Sequence, residues 1–135
     1  MAYPVSDIEG IGKVYAEKLH GVGIKTTDDL LDRAKDPKGR KALAEETGID
    51  GSRILKWANM SDLMRIKGVA EEYSELLEAA GVDTVKELKH RVPANLAAKM
   101  AEVNEARKLV RQVPSEKMVE KWVEEAKALP AIMSY

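Results

Sequence analysis

The chain has 135 residues, 44% hydrophobic and only 4% aromatic, with no Phe. That suits one domain, or two small ones sharing a core, and a composition rich in Ala, Leu, Glu and Lys favours an all-α fold. Zero cysteines exclude a disulfide framework and Cys-ligated zinc, no apolar run reaches the roughly 18 residues of a membrane span, and a cytoplasmic protein is expected. Twenty-two Lys and Arg against 23 Asp and Glu, a net charge of −1, exclude a chain-wide basic surface, so any polyanion-binding surface must be local.

After a short lead-in over residues 1–5, Ser6-Asp7-Ile8-Glu9 has the spacing of a capping box and predicts a short first helix. It runs into Gly10-Ile11-Gly12, two glycines that allow φ > 0, a sharp turn and amides unobstructed by any Cβ. The next helix, from Gly12 or Lys13 to about Val22, carries Tyr15, Ala16, Leu19 and Val22 at helical spacing and stops at Gly23. Its unpaired first amides and positive dipole end suit a phosphate oxygen. Thr26 is read as the following N-cap, Leu30 and Leu31 as inward, and Asp36-Pro37-Lys38-Gly39 as the turn that breaks that helix. Two further helices, near 40–47 and 52–59, join at Gly48-Ile49-Asp50-Gly51.

Sliding the sequence by 58 residues reveals an internal repeat: Ile8, Gly10, Tyr15, Glu17, Leu19, Gly23, Thr26 and Leu30 recur as Ile66, Gly68, Tyr73, Glu75, Leu77, Gly81, Thr84 and Leu88. Lys56-Trp57 has a later counterpart in Lys121-Trp122, the second copy being longer. The reading is therefore two units, 1–60 and 61–135, of about five helices each, packing as one compact domain without flexible linkers. In the second unit Thr84 caps a short helix. A long one near 94–113 carries Leu96, Met100, Val103, Val110 and Val113. Pro114-Ser115 then caps a last helix striped with Met118, Val119, Trp122, Val123, Ala126 and Leu129, and Ala131 to Tyr135 form a tail.

Ile8-Glu9-Gly10-Ile11-Gly12, followed by three residues, Ala16, two residues and Leu19, resembles the helix-hairpin-helix consensus at each defining position. Across nearly the whole chain, including DLMRIKGV, AGVDTVKEL and the closing WVEEAK, it is similar to a bacterial and archaeal family of tandem helix-hairpin-helix proteins catalogued as a domain of unknown function. The resemblance implies two tandem helix-hairpin-helix units. It also implies sequence-independent DNA binding by hairpin amides and a flanking cation, at Gly10, Ile11, Gly12 and Lys13 and, in the second copy, at Lys67, Gly68, Val69 and Ala70. Two acids depart from the family pattern, Glu9 and Glu71, the latter standing where Lys13 stands in copy one.

Side-chain chemistry adds one further candidate patch, Arg107 with Lys108 and Arg111, the two arginines one helical turn apart on the predicted long helix. Lys35, Lys38, Arg40 and Lys41 read as a solvated basic loop. Trp57 and Trp122 sit at equivalent places on apolar stripes and read as core rather than as base-stacking platforms. Asp28, Asp29 and Asp32 complement a helix start, and His20 and His90 have no nucleophile to serve, so no catalytic residue, metal site or cofactor is expected. Two readings of function result. In one, the protein is a non-enzymatic module binding DNA weakly and without sequence preference; in the other, it is a protein-interaction or scaffold module whose hairpins serve only packing.

Overall fold

Short polar residues start four of the helices, because the first amides of a helix lack acceptors within it and a side-chain oxygen can supply one. The computed structural model describes residues 2–135, so of the lead-in only Met1 lies outside the described residues. These residues are all-α: a 3-10 turn, Val5–Asp7, and helices α1 Gly12–Gly21, α2 Thr27–Ala34, α3 Pro37–Thr47, α4 Gly51–Leu63, α5 Glu71–Ala79, α6 Val85–Leu88, α7 Pro93–Arg107 and α8 Glu116–Ala128. They divide into two compact units, one running up to Asp62 and including Ile132–Tyr135, the other Leu63–Ala131. The division expected after residue 60 falls inside α4, and the second unit holds four helices rather than five.

In the first unit the lead-in is tied down by backbone pairing. The Val5 amide donates to Lys25 O at 2.9 Å and the Thr27 amide to Tyr3 O at 2.8 Å, while the buried Thr27 hydroxyl accepts from the Tyr3 amide at 3.2 Å. This tether, with Val5 and Ile8 both buried, leaves room for one turn only. The capping box expected over Ser6 to Glu9 therefore does not form: Ser6 lies inside the 3-10 turn, Pro4 precedes it, and Ile8 is extended. Thr26 does build one at α2, its hydroxyl accepting from the Asp29 amide at 3.1 Å while the Asp29 carboxylate accepts from the Thr26 and Lys25 amides. Asp36-Pro37 starts α3 rather than forming an open loop, with the Asp36 carboxylate on the Gly39 amide at 2.7 Å and Pro37 in the first turn, where its missing N–H costs nothing.

Arg40 is not part of a solvated loop. Its guanidinium donates to Ala34 O at 3.0 Å and Ser134 O at 2.9 Å and lies over the Tyr135 ring, whose hydroxyl donates to the Asn59 side chain at 2.8 Å. The closing residues are thus a clasp on the first unit, because a buried guanidinium needs acceptors and the carbonyls of 34 and 134 provide them.

The second unit repeats these local devices. Leu76, Leu77, Leu88, Leu96, Met100 and Trp122 are among its buried core, where a side chain such as Leu contributes about 1.5–3 kcal/mol relative to an exposed one. Thr84 accepts from the Glu87 amide at 3.3 Å and Ser115 from the Met118 amide at 3.2 Å. The long helix ends at Arg107, six residues short of the predicted end. Lys108 takes a left-handed conformation, φ 52°, and the buried Asn104 side chain receives the Val110 amide at 2.9 Å and donates to the Val110 carbonyl at 3.0 Å. Val110 therefore reaches the core from a loop, not from the helix stripe.

Asn104→Ala should lower unfolding free energy by about 2–4 kcal/mol, since it strips partners from two buried backbone groups; urea denaturation checks this. The Asp29 carboxyl is held below its ordinary 3.8 by hydrogen bonds from the Lys25 amide first and the Thr26 amide second. A depressed folded-state value means this contribution is complete above the unfolded value and lost as pH falls through the folded one. The Tm difference between the parent protein and Asp29→Asn should accordingly be constant near neutral pH and shrink as pH drops below 3.8.

Candidate functional site

The first hairpin is built by two buried isoleucines around a glycine that no other residue replaces without strain. Ile8 and Ile11 turn into the core, the Ile11 amide donates back to Ile8 O at 3.3 Å, and Gly10 between them has φ 92°. The second hairpin has the same plan: Ile66 and Val69 are buried, the Val69 amide reaches Ile66 O at 3.1 Å, and Gly68 has φ 90°. Each glycine faces a tryptophan from the last helix of its copy. A Cβ at Gly10 would lie 3.7 Å from Trp57 Nε1, and one at Gly68 would lie 3.4 Å from Trp122 Nε1. Tyr15 packs on Trp57 and Tyr73 on Trp122, both pairs with centroids 5.2 Å apart. Both indoles are buried, as their place on apolar stripes predicts, so neither ring is available to stack on a base.

The two hairpins differ where they meet solvent. Gly12 has φ 59° and opens α1; neither α1 nor α5 has a side-chain cap, so the first-turn amides around Lys13 have no side-chain acceptor. Ala70 is extended, φ −103°, so alanine fits there without strain. Lys13 is exposed and the first turn of α1 has no acid, whereas α5 begins with Glu71 and Glu72. The Lys67 amide donates to the Glu125 carboxylate at 2.7 Å, so the second hairpin already carries an anion of its own chain. The residue matching Glu125 in copy one is the buried Met60, and the one matching Met118 is Arg53, whose guanidinium lies 5.3 Å from the Tyr15 ring centre. Three of these differences add positive charge to the first hairpin relative to the second; two, Asp7 against Arg65 and Glu9 against Lys67, work the other way.

Of the residues singled out from sequence, Gly10, Gly12 and Lys13 present backbone to solvent as one stretch. Ile11 and Val69 do not: their side chains are core and their amides are spent inside the turn. Lys67, Gly68 and Ala70 form the second hairpin, with the Lys67 amide occupied. Arg107 and Arg111 are not one turn apart on a helix, because α7 ends at Arg107 and Arg111 follows in the loop. That loop reaches α5 through the Tyr73 hydroxyl, which donates to Gln112 O at 3.1 Å. Glu125 and Arg53 were not found from sequence; the repeat alignment that pairs Trp57 with Trp122 places both, but their contacts depend on the fold.

Residues 9–129 match the model of the family described as Domain of unknown function (DUF4332). The chain belongs to this family. A 66-residue stretch is 41% identical to part of a protein named DNA polymerase IV from Ectopseudomonas mendocina (strain ymp), covering 49% of the DUF4332 chain and 17% of that relative. No solved structure matches the chain. Among the described residues no helix is long and apolar enough to cross a membrane.

Gly12→Ala, at φ 59° in the position matching Ala70, should destabilise the DUF4332 chain by about 1–2 kcal/mol, the cost of forcing an L-residue into a left-handed conformation. Ala70→Gly should cost no more than a few tenths of a kcal/mol to about 1 kcal/mol, through unfolded-state entropy alone. Thermal melts of the two variants against the parent protein separate the two hairpins on this point.

Proposed function

We propose that this DUF4332 chain is a non-enzymatic module that binds DNA weakly and without sequence preference, its first hairpin presenting the amides of Gly10, Gly12 and Lys13 to phosphate oxygens. The observation that carries the reading is the similarity of half the chain to a segment of a protein named DNA polymerase IV. Local geometry supports it: the turn exposes backbone, α1 opens uncapped, and Lys13 adds a cation in a first helical turn that holds no acid, Glu9 standing in the hairpin before it. Phosphates are identical at every nucleotide, so contacts of this kind position a protein without reading sequence. Within the second unit Arg107 and Arg111 are exposed cations. The net charge of −1 keeps the expected affinity low.

A second reading, a protein-interaction or scaffold module with purely structural hairpins, draws support from Glu125. A carboxylate of the chain already satisfies the Lys67 amide, so the second hairpin is complete without a ligand.

Titration of labelled single- and double-stranded DNA at low and moderate salt tests both. Affinity should fall by about one log unit per log unit of salt for each phosphate contacted. Lys13→Glu, at an exposed helix position that tolerates either residue, should weaken binding by roughly tenfold at low salt. Absence of binding at low salt, or indifference to Lys13→Glu, overturns the DNA reading; concentration-dependent self-association by light scattering would then favour the second.

A further inference from the structure

Neither of the two tryptophan indole N–H groups has an acceptor among the described residues. Trp57 is 2% exposed and Trp122 3%, and a tryptophan so enclosed ordinarily places its N–H on an oxygen. Neither Nε1 does so among the described residues, yet no fully enclosed side-chain nitrogen or oxygen is without a partner. Each N–H must therefore reach the surface through a small opening. The hairpin glycine lies beside that N–H: a Cβ at Gly10 would meet Trp57 Nε1 at 3.7 Å and, its chain neighbours aside, no other atom within 4 Å. The same holds for Gly68 and Trp122 Nε1 at 3.4 Å. The missing side chain thus serves two ends, the positive φ of the turn and a path to a buried donor.

We propose that Trp57 Nε1–H is a direct donor to an oxyanion seated on the first hairpin, acting with the amides of Gly12 and Lys13 and the Lys13 ammonium. In the second hairpin the Glu125 carboxylate sits on the Lys67 amide one residue before Gly68, and Glu71 and Glu72 open the following helix where copy one has Lys13 and Val14, so that turn disfavours an external anion. Copy one has Met60 in place of Glu125 and no such carboxylate. An indole N–H suits the task because it is a donor only, carries no charge to desolvate, and is held rigid by Tyr15 on its ring. The inference deepens the DNA reading, since the oxyanion is of phosphate type; its source is a nucleic acid backbone or free phosphate.

The test is nuclear magnetic resonance of the intact ¹⁵N-labelled chain, whose two indole signals are assigned with Trp122→Phe. Inorganic phosphate and, separately, a short DNA duplex are added. The Trp57 indole signal should shift together with the Gly12 and Lys13 amides, while that of Trp122 stays still. In Glu125→Ala the Lys67 amide and the Trp122 indole should begin to respond. Trp57→Phe, which keeps an aromatic ring in the core, should weaken binding by about tenfold, the effect of one hydrogen bond to a charged group. Hairpin amides that shift with DNA while the Trp57 indole does not would overturn this proposal and leave the DNA reading intact. A Trp57 response to phosphate but not to DNA supports the proposal and overturns the DNA reading, and no response to either ligand overturns both.

Discussion

The contact on which each unit depends is between a glycine with positive φ and the indole of a tryptophan some 50 residues further along the chain, Gly10 with Trp57 and Gly68 with Trp122. A Cβ on either glycine would meet the indole at van der Waals distance, so it is the positive φ of a turn pinned between two buried branched residues that demands glycine there. Once the indole is seated, the tyrosine one helix turn after the hairpin packs on it, and the direction of the following helix is set. Later steps repeat as well. Gly23 and Gly81 close the helix with positive φ, and the amides of Ile24 and Val82 return to Leu19 O and Leu77 O at 2.9 and 2.8 Å. Thr26 and Thr84 then start the next helix.

The duplicated joint has been kept while its surroundings have diverged in charge. Copy one has Lys13, Arg53 and a buried Met60 where copy two has Glu71, Met118 and Glu125, and Asp7 and Glu9 where copy two has Arg65 and Lys67. In the second turn the Glu125 carboxylate satisfies the Lys67 amide, a charge-assisted hydrogen bond made within the chain. The two turns keep the same backbone plan, and they differ in the charges around them and in the Glu125 carboxylate that the second carries on its Lys67 amide.

Much of the fold was legible because its signals are local. The hairpin glycines, the Thr26 and Ser115 caps and the apolar stripe of α8 depend on residues within a turn or two of one another, and each stands where its spacing puts it. The failures have one physical cause. The stripe that continues from Met100 to Val110 looks helical, but the Asn104 side chain offers the Val110 backbone a better pair of hydrogen bonds than a further helical turn does. Ser6 has the right neighbours for a cap, but the tether from residues 3 and 5 to residues 25 and 27 leaves no length for a helix. Arg40 looks like one of a group of loop cations until the chain terminus returns to its guanidinium.

Helical class, duplication and the position of both hairpins follow from residue type and short-range spacing, since φ preference, capping and helical periodicity act over a few residues. The occupancy of the hairpins does not. Whether the Lys67 amide meets solvent or the Glu125 carboxylate is decided by a residue 58 positions away, and whether an indole N–H is buried or opens beside Gly10 is decided by how a helix ending at Leu63 lies on the turn that begins the chain. Hydrogen bonds between distant segments exist only once the intervening helices have packed, so the chemistry available at each turn is a property of the folded chain.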